Sequence, residues 1–136
     1  MANLIVPTAR SIFLCDYHFS AERDKDDLYG ICNALRVERF PYKIKQFCVF
    51  AQLSNGLGKV PVHLDVRHFN TGILVHVTKH FHLFFKDRVA IVKLVIHLGG
   101  FVFPESGLYS FELFCDNMWV GDTLLDVSYS SKGIHP

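Results

Sequence analysis

No sign of charge dominates this sequence. Fourteen basic residues stand against thirteen acidic ones, leaving +1 with histidine neutral. A general binder of nucleic acid would carry a strongly basic footprint instead, so no nucleic-acid partner is expected. Long apolar runs are missing too. The most apolar stretch, Val89 to Phe103, is interrupted by Lys93, His97 and the pair Gly99-Gly100, short of the ~20 residues that span a bilayer, and no membrane partner is expected. Met1 to Val6 is a short apolar run stopped by Pro7, without the basic leader and longer apolar stretch of a signal peptide. No Asn-x-Ser/Thr acceptor occurs. Together these absences point to the cytoplasm.

The four cysteines, at 15, 32, 48 and 115, include no Cys-x-x-Cys pair, which excludes a zinc knuckle and a thioredoxin-type redox motif. In apolar, strand-like surroundings they read as reduced, buried thiols. Nucleophile motifs are equally scarce. There is no Gly-x-Ser-x-Gly elbow. Cys15 and His18 are three residues apart on an alternating strand, so they point to opposite faces and make no nucleophile and base pair. The glycine-rich turn Ser54-Asn55-Gly56-Leu57-Gly58 lacks the Lys-Ser/Thr pair and following helix of a phosphate loop. The chain is therefore expected to be no enzyme, with no catalytic residue and no cofactor.

What is present is a half-apolar chain of 136 residues with positive mean hydropathy. That rules out disorder and fits one domain with a core needing no staples. Thirteen phenylalanines and eight histidines are the unusual numbers. Period-2 alternation recurs and no convincing helical stripe appears, so the chain reads as all-β. The expected strands are 10–19, 28–39, 42–53, 59–69, 73–85, 89–98, 108–115 and 118–129, with 1–9 as an extension and 130–136 as a frayed tail. The charged stretch Ser20 to Asp27 reads as a solvated loop. In 59–69, Val60, Val62, Leu64 and Val66 share a face, and Pro61 suggests an edge strand or a strand start. The stretch 89–98, apolar on both faces, is either central or covered. Strands at this spacing imply an antiparallel β-sandwich of seven to nine strands.

The pattern Gly107-x-Tyr109-x-Phe111 adds an immunoglobulin-like note. Such sandwiches begin their penultimate strand with a tyrosine whose hydroxyl returns to nearby backbone at the sheet corner. Several stretches in order, Ile12-Phe13-Leu14-Cys15-Asp16, Phe40-Pro41, Phe50-Ala51-Gln52-Leu53, and Phe103-Pro104 through Gly107-Leu108-Tyr109-Ser110-Phe111, resemble an uncharacterised family of small bacterial β-sandwich proteins known only as a domain of unknown function. The resemblance spans residues 10–128. It implies a stand-alone bacterial sandwich with no assigned activity, and carries over no functional residue.

Two surfaces remain as candidates. On an unbroken strand 73–85, His76, His80 and His82 share one face with Leu74 and Phe84, opposite Ile73, Val75, Val77, Phe81 and Leu83. His63, His68 and Asp65 from the neighbouring strand and His97 from the next lie near enough in sequence order to join them. Zinc needs three or four ligands, so His76, His80 and His82 are weak metal candidates, while a solvated polar face is the plainer reading. A pH-sensitive surface is a third, since imidazoles titrate near pH ~6.5. The second surface is apolar: Leu74, Phe84, Val89, Ile91 and Val95 fall outward if the core takes the alternate residues, and a contiguous outer patch marks an interface. The expected function is an interaction module that self-associates or docks on a protein partner through this His- and Phe-rich face. A metal or a small ligand held there, or between the sheets, is the alternative.

Overall fold

The computed structural model describes residues 3–130. The described chain is all-β, with thirteen strands: β1 (Thr8–Cys15), β2 (Tyr17–Ser20), β3 (Asp26–Tyr29), β4 (Ala34–Val37), β5 (Tyr42–Lys43), β6 (Phe47–Ser54), β7 (Gly58–His68), β8 (Leu74–Val77), β9 (Phe81–Phe85), β10 (Val92–Leu98), β11 (Val102–Phe103), β12 (Gly107–Cys115) and β13 (Met118–Tyr129). One sheet has the order β1-β6-β10, and a larger one runs β4-β13-β12-β7-β8 with β9 also paired to β7. Two short ribbons, β2-β3 and β5-β11, complete the set.

The count exceeds seven to nine because predicted strands break. The first breaks at Asp16, the third before Phe47, and the fifth at Thr78–His80. The second breaks at Gly30, which has φ +70°, and its later half returns as β4. That strand pairs with β13 in parallel, Ala34 beside Asp126 and Val37 beside Tyr129, so the assembly is not wholly antiparallel. Residues 3–9 are tied to the domain: Ile5 and Leu57 exchange backbone hydrogen bonds of 3.0 and 3.1 Å, and Pro7 is buried. The predicted tail from 131 onward lies outside the described residues.

The core follows alternation where strands are long. Val60, Val62, Leu64 and Val66 of β7, Tyr109, Phe111 and Leu113 of β12, and Leu125 and Val127 of β13 are fully buried. They meet Phe47, Val49, Ala51 and Leu53 of β6, with Phe47 and Phe111 rings 6.0 Å apart. Near its start β13 bulges: Leu113 pairs with Gly121 but Phe114 with Trp119, which sends Trp119 outward, 57% exposed. Gly121 lies under β1, and a Cβ there would sit 3.0 Å from Ile12 Cδ1. Strand β1 crosses β13 at that point because no side chain intervenes.

Pro61 does not mark an edge: β7 lies between β12 and the β8/β9 pair. Along an antiparallel strand the N and O of one residue face the same neighbour. The Pro61 carbonyl accepts from Asp116 N (2.7 Å), just past the last β7–β12 pair, Val62 with Cys115. Its donorless nitrogen therefore faces the place where the ladder has already ended.

Strand β6 is buried on both faces, which is why its alternation is unclear in the sequence. Its outer residues Cys48 and Phe50 are covered by the β2–β3 ribbon, with His18 stacked on Phe50 at 5.4 Å. Strand β10 is an edge strand, not a central one, and the same ribbon reaches its outer face through Lys93.

At one end of the large sheet, the Tyr109 hydroxyl donates to the carbonyl of Glu105, four residues upstream, as its pattern predicts. Beside it His68, 5% exposed, accepts from Thr71 Oγ1 at Nδ1 (3.0 Å) and donates from Nε2 to the Ser106 carbonyl (3.2 Å). A carbonyl only accepts, so Nε2 carries the proton.

Candidate functional site

The histidines of 73–85 do not share one face. Val62 pairs with Phe81 and Asp65 with Val77, so four steps on one side match three on β7, and the surplus residue within Thr78–His80 inverts the alternation. Thr78 fixes this bulge by bonding Leu64 twice, N to O and Oγ1 from N, both at 2.9 Å. His76 therefore stands opposite Val66, on the core side, stacked on Phe101 at 4.8 Å. His80 and His82 lie on the outer side, His80 with its ring 4.4 Å from His63 and His82 opposite Pro61. For the same reason Val77 is exposed rather than core, whereas Phe81 and Leu83 pack inward; Ile73, beyond a second register shift at Val66/Arg67, is exposed as well. The three histidines make no single ligand set, and among the described residues no group of three or more His, Cys, Asp or Glu is placed to hold a metal.

On that outer face, rows across the strands collect complementary side chains. Arg67 bonds Glu112 (3.2 Å) and approaches Asp65 (3.5 Å), and Ser110 donates to Glu112 (3.1 Å). His63 stacks on Phe114 at 5.0 Å and 5°, with Asp65 at 3.5 Å. Burial, joined by nearby His80, holds the His63 imidazole below its ordinary 6.5 against the pull of Asp65. These groups satisfy one another, which is what a supporting sheet face needs.

The predicted apolar patch is also divided. Leu74 stands beside Arg67, whereas Phe84 stands beside Lys59, roughly 26 Å away at strand spacing. Val89 and Ile91 precede β10 and are 84% and 66% exposed, and Val95 lies on the outer side of the other sheet, opposite Phe50. The residues are exposed or half-exposed, yet they form no continuous surface.

A denser apolar surface lies on the β2–β3 ribbon, where alternation alone predicts the end of one strand, a loop and the start of the next. His18 and Leu28 pair and face β6, so Tyr17, Phe19 and Tyr29 face outward. Tyr17 stacks on Phe19 (6.3 Å), and Phe19 meets Tyr29 edge-on (5.5 Å). All three stay about half exposed, with Phe13 and Ile31 nearby at 42% and 57%. The available signal was the alternating Tyr17-x-Phe19 and a later Tyr29 flanking a charged turn, which is a hairpin pattern.

The ribbon is pinned by ions. Asp26 accepts from His18 Nε2 (2.8 Å) and from Lys93, which also donates to the Asp24 carbonyl. Lys93 first, then His18, holds the Asp26 carboxyl below its ordinary 3.8. A carboxyl depressed by folding contributes stability above its unfolded value and loses it as pH falls through the folded one. Amide protection factors across Ser20–Tyr29 are thus expected to hold above pH 3.8 and to fall on acidification below it. Asp26→Asn should bring faster exchange of the same amides at neutral pH, a loss of about 1–2 kcal/mol after screening of the partly exposed lysine. Unchanged exchange in that variant would show that the ribbon is held by its apolar contacts alone.

Cys15 and His18 also depart from expectation. The bend at Asp16 breaks the alternation, and both end on the outer side of β6, Cys15 beside Cys48 and His18 on Phe50. They are not bonded to each other: Cys15 Sγ donates to the Tyr17 carbonyl (3.5 Å) while His18 is held by Asp26. Burial raises the Cys15 thiol, and pushes Cys48 and Cys115 up to about 12. All four cysteines are free, three of them buried.

A family model described as a family of unknown function (DUF6941) matches residues 10–128. No curated protein matches the chain.

Proposed function

The chain belongs to that family of unknown function over most of its length, and from its own residues we propose that it is a non-enzymatic interaction module that pairs with a second copy of itself. The observation that carries this reading is the cluster of Tyr17, Phe19 and Tyr29, rings packed on each other yet half exposed. Exposed Phe13 and Ile31 on the adjoining segments enlarge the apolar surface, and such patches are often functional. A stable pair needs roughly 800 Å² per partner, so a polar rim must supply the rest. The turn Glu22-Arg23-Asp24-Lys25 offers one of mixed sign, and a net charge of +1 opposes self-approach little. Thiols raised by burial make poor nucleophiles, which favours binding over catalysis.

The same reading takes the fold as an immunoglobulin-like sandwich in a bacterial cytoplasm. The Tyr109 corner and the facing β6 and β12 side chains support the first part, and free buried thiols suit a reducing compartment. Light scattering at tens to hundreds of micromolar should show a dimer that Tyr17→Ser with Phe19→Ser converts to monomer, without altering the far-ultraviolet spectrum. A monodisperse monomer throughout that range would sink the proposal. A dimer broken by Phe84→Ser and Ile91→Ser instead would move the interface to the surface predicted from sequence.

A further inference from the structure

The two sheets leave one side open. Strand β10 ends the smaller sheet and β8 ends the order of the larger, and a groove of about 470 Å³ runs between them. Its wall includes Val95 and His97 from the outer side of β10 together with Ile96 and Leu98 from the inner side. A wall built from both faces of a strand is the strand's edge. The opposite wall is likewise an edge, with His76 and Val77 meeting the Thr78–Lys79 bulge. Here β10 has neither proline nor register shift, and its one lysine, Lys93, lies near the start of the strand, away from this groove.

The polar side chains of this groove are His76, His97, Lys79 and Thr78, with no carboxylate among its lining residues. His76 is set by its stack on Phe101, and among the described residues no side-chain hydrogen bond engages it, His97 or Lys79. The groove is shallow, so a small molecule would stay largely in water, whereas an extended segment would take hydrogen bonds from the strand edge. From Val95 to Gly99 the edge measures roughly 13 Å, enough for four or five residues of added strand.

We propose that this groove binds an extended acidic peptide, which adds as a strand to the free edge of β10, seats apolar side chains beside Ile96 and Leu98 on the inner side, and places its carboxylates on the outer side toward His97 and Lys79. This surface is separate from the β2–β3 ribbon, and the proposal stands whether or not the chain pairs with itself.

The test is titration of the isotopically labelled chain with a blocked octapeptide alternating valine and glutamate, and with its counterpart carrying lysine for glutamate. The acidic peptide should shift and slow the exchange of amides in Val95–Gly99, and bind about tenfold more tightly than the lysine peptide. The exposed-site variant His97→Ala with Lys79→Ala should weaken it about fivefold or more while leaving the fold intact. Equal binding of both peptides, or no response on β10 at millimolar peptide, overturns the proposal. Octanoate giving the same shifts without slowed exchange overturns it too, in favour of a small carboxylate.

Discussion

Gly107→Ala is expected to cost the fold about 2–5 kcal/mol, from a strained backbone and an overfilled site acting together. Gly107 has φ +145°, a conformation L side chains rarely adopt, and an added Cβ would fall 2.5 Å from His68 Nε2. The imidazole has little freedom to retreat, being buried and bonded at both nitrogens to Thr71 and Ser106. It also stands edge-on to Tyr109 at 5.0 Å, so displacing it disturbs the corner that closes this end of the sheet. Urea unfolding should show the loss as a lower midpoint with an unchanged slope. Adding His68→Ala should recover the steric part but not the backbone part, a non-additive pair. A loss below about 1 kcal/mol would mean that the imidazole yields freely.

Phe111→Ala should remove about 3–5 kcal/mol. The ring is fully buried on β12 and meets Phe47 of β6, so its deletion leaves a void where the two sheets face one another. Phe84, the same residue type at 67% exposure, provides the contrast. Its alanine variant should fall within about 0.5 kcal/mol of the parent. Thermal or urea melts of the two variants side by side decide the matter, and similar losses in both would contradict the burial described here.

Long strands with one buried face were legible in the sequence. Val60 to Val66, Tyr109 to Leu113, and Leu125 with Val127 are buried as alternation predicts, and the Tyr109 hydroxyl finds its backbone partner. Alternation fails where a single residue is inserted. The bulge at Thr78–His80 turns His76 inward, and the one before Gly121 turns Trp119 outward. It also fails at bends: Asp16 separates Cys15 from His18 and makes Tyr17 and Phe19 part of a covering ribbon. The phenylalanines divide, and Phe40 and Phe81 pack against the core from its margin. Phe47, Phe50, Phe85, Phe101, Phe103 and Phe111 are buried, while Phe13, Phe19, Phe69 and Phe84 are exposed. Apolar character alone does not tell a core strand from a ribbon with a wet side.

The parallel pairing of β4 with β13 has a bearing on how the chain is made. Residues 34–37 find their strand partner in 126–129, and β1 packs against β13 around Gly121. During synthesis, which releases the amino-terminal residues first, β4 emerges long before the strand that anchors it. The β2–β3 ribbon, closed by its own turn, has no such wait. A nascent chain lacking Met118–Tyr129 exposes the long edge of β12 and leaves β4 unpaired, so the vulnerable period for strand-to-strand aggregation lasts until the final hairpin leaves the ribosome.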